Sequence, residues 1–152
     1  LKKKKVALVC SSGGHLTQLL ILREFWESRD RFWVTFDKVD AISQLAGERI
    51  YFCRHPTNRN VINLIRNCFL AIRVLRTEKP DLILSTGAAI AIPFFYLAKF
   101  FGAKTAYLEV YDRIDSPTLT GKLVYPVADY FYVQWQDQQK FYPKAILVGE
   151  LL

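Results

Sequence analysis

Short, continuous apolar runs alternate along this chain with longer stretches whose apolar residues recur every three or four positions. The first run, Val6-Ala7-Leu8-Val9-Cys10, has the unbroken hydrophobicity of a parallel strand buried on both faces. Ser11-Ser12-Gly13-Gly14-His15 interrupts it, and residues 16–22 then read as a helix. Further strands are expected at 31–35, 49–53, 81–85, 104–109, 130–134 and 145–148, with helices at 40–46, 61–76, 88–101 and 119–128. Pro93 falls early in the 88–101 segment, where a helix tolerates it. The turn His55-Pro56-Thr57-Asn58 closes the third strand. Strands separated by helices predict a doubly wound, Rossmann-like α/β fold with a parallel sheet covered on both sides. No repeat, low-complexity segment or interior linker divides the chain, so residues 1–152 are expected to form one domain.

Composition changes this picture little. A chain of 152 residues with 51% hydrophobic content can bury a core without staples. Charge adds more. The formal net charge is +7, with lysines at 2–5 in one run and further Arg and Lys between residues 49 and 79. Such clusters attract the phosphates of nucleic acid, of anionic lipid or of a diphosphate-linked substrate, although a lysine run ahead of a first strand is also a common solvated leader. Cys10, Cys53 and Cys68 are odd in number and lack CxxC spacing, which fits reduced thiols in a cytoplasmic compartment. The apolar run after the lysines is too short for a signal peptide, and no stretch approaches the roughly 20 apolar residues of a membrane span. Membrane contact is therefore expected to be peripheral.

The glycine loop carries the first chemistry. In doubly wound folds ligands bind beyond the carboxyl ends of strands, where loop amides and a helix N-terminus favour anions. Ser12, Gly13 and Gly14 are placed to admit a diphosphate, and His15 stands beside it. Histidine, with an ordinary pKa of about 6.5, can take a proton from a hydroxyl as general base. Capping the helix or bonding a neighbouring carbonyl is the equally open structural role for His15. GxGxxG and GxxxxGK[ST] are both absent, and Asp37 after the second strand is weak support for NAD by itself. No cofactor and no metal cluster is expected.

Four sets of residues, in order, give the sequence a family likeness: Tyr107-Leu108-Glu109, then Leu119-Thr120-Gly121-Lys122-Leu123-Val124-Tyr125-Pro126, then Ala128-Asp129, then Val133-Gln134-Trp135. With the Ser-Ser-Gly-Gly-His loop and Ser85-Thr86-Gly87, they resemble the membrane-associated subunit of the eukaryotic two-part N-acetylglucosaminyltransferase that extends dolichol-diphosphate-GlcNAc. They equally resemble bacterial capsule and exopolysaccharide glycosyltransferase subunits. The resemblance implies the N-terminal half of a GT-B fold, holding a lipid-diphosphate-linked sugar acceptor at the cytoplasmic face of the membrane. A second subunit would bind the UDP-sugar donor, and the chain would be inactive without it. The chain's ending just past its last strand, at Gly149-Glu150-Leu151-Leu152, fits a half-enzyme. Where the eukaryotic members usually carry an N-terminal anchor, this sequence shows the lysine run at 2–5, so a peripherally bound subunit of the bacterial type is expected.

Carried onto this sequence, the resemblance puts Ser12, Gly13, Gly14 and His15 on the loop facing the acceptor diphosphate, and Thr86 and Gly87 on a second loop at the same sheet edge; Arg113 is a further candidate for binding the diphosphate. The resemblance makes His15 and Glu109 the two candidates for the base of an inverting transfer. Capping a helix, or pairing with Arg113, is the structural alternative for Glu109. Arg59, Arg66 and Arg73 recur every seven residues along one expected helix, beside Leu64, Ile65, Phe69, Ile72 and Leu75. That combination fits contact with an anionic membrane surface, and equally a plain solvated helix face. Two other classes remain in view. A stand-alone Rossmann enzyme would want GxGxxG and a Tyr-x-x-x-Lys pair, whereas Tyr96 is followed by lysine at 99. A nucleic-acid-binding module would want an RNP, zinc or helix-turn-helix pattern, and none is present, so no nucleic-acid partner is expected.

Overall fold

The computed structural model describes residues 3–57 and 59–151. Lys2 of the basic run, Asn58 of the turn and the terminal Leu152 lie outside the described residues. Seven strands, β1 (Lys5–Cys10), β2 (Asp30–Phe36), β3 (Ile50–Cys53), β4 (Leu82–Gly87), β5 (Lys104–Leu108), β6 (Tyr130–Val133) and β7 (Ile146–Leu147), form one sheet ordered β3-β2-β1-β4-β5-β6-β7. Every pairing is parallel. The helices are α1 (Gly14–Ile21), α2 (Arg23–Trp26), α3 (Val39–Gln44), α4 (Val61–Glu78), α5 (Ala91–Leu97) and α6 (Leu119–Val124).

Alternation along the strands builds two cores. In β1, Ala7 and Val9 face one layer with Phe32, Val34, Ile83 and Tyr107, while Val6, Leu8 and Cys10 face the other with Trp33, Leu16 and Leu19. The first layer is covered by α4, α5 and α6, and the second by α1, α2 and α3. The second cover is incomplete. Beyond α2 the sheet face is open, forming a cavity of about 340 Å³ lined by Leu82, Leu84, Ala106, Leu108, Tyr130 and Tyr132.

Several boundaries differ from the sequence expectation. The expected 88–101 helix is α5 followed by a 3-10 turn, Ala98–Phe101, which Gly102 ends with a positive φ of 71°. Helix α4 starts at Val61 because the Asn60 side chain accepts a 2.9 Å hydrogen bond from the Asn63 amide and caps it. Arg59 precedes that cap with φ 52°, so it is not on the helix, and the expected three-arginine stripe keeps only Arg66 and Arg73. Leu75, expected beside the stripe, is fully buried on the opposite face. Among the described residues of the basic run, Lys5 is structural: its ammonium lies 3.1 Å from the nearly buried Glu78 carboxylate, which also accepts from Tyr51 at 2.7 Å.

One ion pair gives a pH-dependent contribution to stability. Arg31 grips Glu48 with two hydrogen bonds of 2.6 and 2.9 Å, and the Trp33 indole adds a third at 3.1 Å. Partial burial works to raise the Glu48 pKa, but these bonds outweigh it and hold the carboxyl below its ordinary value. A depressed carboxylate pKa stabilises the fold above the unfolded-state pKa, and the benefit is lost as pH falls through the lower folded value. Glu48→Gln is expected to cost about 1–2 kcal/mol near neutrality. Denaturant melts of the two proteins should converge as the pH is lowered below about 4.

Candidate functional site

In the observed strand order, the connections leave β1 and β4 in opposite directions, which makes the crevice beyond their carboxyl ends the topological switch point. His15, the second residue of α1, stands there. Its Nδ1 lies 2.8 Å from the Thr86 carbonyl, and the Thr86 hydroxyl donates to the His15 carbonyl at 2.6 Å. A carbonyl oxygen only accepts, so this contact holds the proton of the neutral ring on Nδ1 and leaves Nε2 as the basic nitrogen.

Gly87 makes the arrangement possible. Its φ of 126° disfavours any side chain, and a Cβ there would sit 2.7 Å from His15 Cε1 and 2.9 Å from Nδ1. Thr86 and Gly87 therefore lie beside His15 as expected, but their visible work is to seat the imidazole. The Thr86 side chain is fully buried and committed to the His15 carbonyl.

His15 lines an open cleft of about 450 Å³ together with Gly14, Thr17, Gln18, Val110, Tyr111 and Asp112. The wall formed by residues 110–113 is fixed from behind. The Trp135 indole donates to the Tyr111 carbonyl at 2.7 Å, and the Gln138 amide donates to the Arg113 carbonyl. Gln134 links the two sides of the cleft, donating to Gln18 Oε1 at 3.0 Å and to the Glu109 carbonyl at 3.1 Å. Asp112 is the exposed carboxylate of this cleft, and sequence reasoning passed over it. The available signal was its place three residues beyond the expected end of the 104–109 strand.

Glu109 is placed elsewhere. It is 1% exposed, and its carboxylate accepts from the Tyr142 hydroxyl at 2.6 Å, the Thr118 hydroxyl at 2.9 Å and the Val110 amide at 3.0 Å. Alternation explains the direction. Tyr107 faces the core beneath α5 and α6, and Glu109, two residues on, turns to the same side and does not line the cleft that holds His15. Burial, then the hydrogen bond and charge of Glu109, push the Tyr142 hydroxyl well above the ordinary tyrosine range, so it stays a donor. Thr118 caps α6 by accepting from the Gly121 amide at 2.9 Å while donating to Glu109. Glu109 thus anchors a helix cap, one of its two structural alternatives. It forms no ion pair with Arg113, which is exposed.

The glycine loop is partly occupied by the protein itself. Gly13, with φ 76°, donates its amide to the Asp40 carboxylate at 2.8 Å. A phosphate at that amide would have to displace a like charge, which leaves Ser12, Gly14 and the exposed Arg113 as the freer candidates on this rim. Among the described residues no group of three or more His, Cys, Asp and Glu side chains gathers to hold a metal ion. Cys10 and Cys53 are buried, and burial drives the first thiol well above its ordinary range and the second up to about 12, so neither is a nucleophile.

Away from the crevice, Arg66 and Arg73 share a second cleft, of about 620 Å³, with Arg54, Phe52, Asn67 and Phe69. Asn67 is buried and clamps the Arg54 backbone, accepting from its amide at 2.8 Å and donating to its carbonyl at 3.0 Å. Phe69 is 69% exposed, and Ile62 and Ile65 on the same outward face of α4 are also exposed. No helix among the described residues is long and apolar enough to cross a membrane.

Residues 53–151 match the family model described as "Oligosaccharide biosynthesis protein Alg14 like". The human UDP-N-acetylglucosamine transferase subunit ALG14 is 23% identical across 97% of this chain and 82% of its own length. The Candida albicans protein of the same name is 32% identical over 99% of this chain and 82% of its own. Among solved structures, Acinetobacter baumannii MurG superposes on 86% of this chain with a TM-score of 0.67 and 18% identity. The S. aureus MnaA–UDP structure covers 97% with a TM-score of 0.74 and 12% identity. This chain spans 41% and 45% of those two chains, and the likeness establishes the fold: one Rossmann-like half of the GT-B architecture.

Proposed function

The chain belongs to the Alg14-like family of oligosaccharide biosynthesis proteins, and from that premise we propose that it is the acceptor-binding subunit of a heteromeric, inverting UDP-sugar glycosyltransferase. The observation that carries this reading is the His15 imidazole, held through Nδ1 at the β1/β4 switch point with Nε2 left basic. The acceptor is a sugar on a lipid diphosphate, destined for capsule, exopolysaccharide or lipid-linked oligosaccharide. Its hydroxyl gives its proton to His15 Nε2 while the oxygen attacks the anomeric carbon of the donor sugar and the nucleoside diphosphate leaves. Ser12, Gly13, Gly14 and Arg113 receive the acceptor diphosphate, with Asp40 yielding the Gly13 amide as it binds. Thr86 and Gly87 hold the base, and Asp112 orients a sugar hydroxyl.

The donor-binding subunit docks, in this reading, on the open half of the sheet. Parallel sheets are ordinarily covered on both faces, and here Leu84, Ala106, Tyr130 and Tyr132 line a cavity beside Leu22 and Phe25 at the short helix α2. Co-expression with candidate partner chains, followed by transfer of labelled sugar to a lipid-diphosphate-GlcNAc acceptor, tests the function. Activity is expected only from the assembled pair, and robust transfer by this chain alone would overturn the half-enzyme reading. Tyr130→Asp with Val148→Asp alters two exposed side chains of that cavity. The pair of changes is expected to weaken association by about 100-fold, judged against typical interface anchors, while thermal unfolding of the free chain stays nearly unchanged.

Membrane association at the cytoplasmic face is assigned to the outer face of α4, where Arg66 and Arg73 flank Phe69. Each basic side chain near an anionic leaflet contributes about 1 kcal/mol. Arg66→Gln with Arg73→Gln should therefore lower sedimentation with phosphatidylglycerol vesicles by about 10- to 30-fold, and raised salt should mimic the change. Arg59, off the helix, should add little when also replaced. Unchanged sedimentation of the double variant at low salt would move the contact to another surface, such as Lys3 and Lys4.

A further inference from the structure

On the far side of α4 from its arginines, a second groove runs between α4, α5 and α6. It encloses about 400 Å³ and is lined by Leu64, Cys68, Ile72, Ile92, Leu97 and Leu123. That volume is within the range of small-molecule sites, about 300–1,000 Å³. We propose that this groove seats the hydrocarbon chain of the lipid-diphosphate acceptor, next to the site that holds its head group. The inference rests on the acceptor-binding reading above.

Three observations select this occupant. The first is position. Ile92 is five residues beyond Gly87, the glycine against which His15 packs, and Leu64 lies in the first turn of α4. Both helices start at the carboxyl edge of the parallel sheet, so the groove opens on the edge that carries the crevice. The second is chemistry. Protein interfaces carry about one hydrogen bond per 100–200 Å², and the groove has little to offer a polypeptide. Its one hydroxyl, that of Tyr96, is already donated to the Leu123 carbonyl at 2.7 Å. A saturated or isoprenoid chain needs no such partner. The third is continuity. Exposed Val61, Ile62 and Ile65 extend the apolar surface from the groove mouth to the outward face of α4, where Arg66 and Arg73 stand. A chain leaving an anionic bilayer would thus meet apolar surface all the way to the groove, with its diphosphate arriving at the glycine loop.

Cys68 is a built-in reporter. It lines the groove and is only half-buried, whereas Cys10 and Cys53 are buried. The full chain would be alkylated with N-ethylmaleimide and followed by intact mass. Farnesyl diphosphate at about ten times its dissociation constant is expected to slow Cys68 modification by about tenfold. Inorganic diphosphate is expected to leave the rate unchanged. An unchanged rate with farnesyl diphosphate would overturn the proposal. So would equal protection by phosphatidylglycerol vesicles alone, which would make the groove a seat for bulk lipid. In the assembled pair, Leu123→Glu puts a charge at the groove's partly exposed rim. It should raise KM about tenfold for a farnesyl-diphosphate-GlcNAc acceptor and leave KM unchanged for one bearing a short alkyl chain. Equal KM changes for both acceptors would also overturn the groove. Loss of the acceptor-binding reading has a different signature: no transfer to either acceptor by any assembled pair, with the Cys68 measurement still deciding the groove on its own.

Discussion

His15→Ala in the assembled pair should lower turnover by about 10²- to 10⁴-fold, the usual contribution of a positioned general base, with the acceptor saturating and the subunits still associated. The geometry makes the expectation specific. Only Nδ1 is engaged, by the Thr86 carbonyl at 2.8 Å, so the substitution removes the basic Nε2 and one peripheral hydrogen bond. The fold should lose little, because the ring is only half-buried and lines an open cleft. Added imidazole should restore part of the activity of the Ala variant, since the vacated space adjoins solvent. Gly87→Ala should reproduce much of the defect with the histidine still present, because the new Cβ would lie 2.7 Å from His15 Cε1 on a backbone of φ 126°. Near-normal turnover of His15→Ala would mean that the base belongs to the partner or that positioning alone suffices.

Glu109→Gln should act through stability. The carboxylate receives hydrogen bonds from Tyr142, Thr118 and the Val110 amide while 1% exposed. A glutamine presents one acceptor oxygen in place of two and brings an NH₂ to face the Tyr142 and Thr118 hydroxyls. The expected cost is about 2–4 kcal/mol, the order of a buried, charge-assisted network losing its centre. For a domain of this size that lowers Tm by about 5–12 °C. Gly121→Ala attacks the same node from outside, since its Cβ would collide with both Glu109 Oε2 and the Tyr142 hydroxyl. Thermal melts of the free chain and kcat of the pair, measured below the melting range, separate the two roles. An unchanged Tm with turnover down by about 100-fold or more would return Glu109 to the chemistry.

The fold was legible in the sequence because the strand signal here is strong and local. Val6 to Cys10 and Leu82 to Leu84 are continuous apolar runs, and the glycine-histidine loop that follows the first of them marks a strand-to-helix turn. The elements left unread are the short ones. Helix α2, Arg23–Trp26, and the 3-10 turn at Gln136–Lys140 are too brief for a periodic pattern and exist because tertiary contacts hold them. Trp26, for example, is fixed by its indole bond of 2.7 Å to the Leu19 carbonyl.

For the site, the sequence by itself determined that His15 follows a glycine pair at a strand end, and that fixes its edge of the sheet. Only the tertiary structure decided the rest, because side-chain direction depends on which face of a strand meets which helix. Glu109 and Asp112 are three residues apart and look alike as strand-end acids. The pleat turns the first under α6 to Tyr142, and the turn after β5 leaves the second in the cleft with His15. The tautomer of His15 likewise comes from Thr86, seventy-one residues away, whose carbonyl no local pattern could bring to the imidazole.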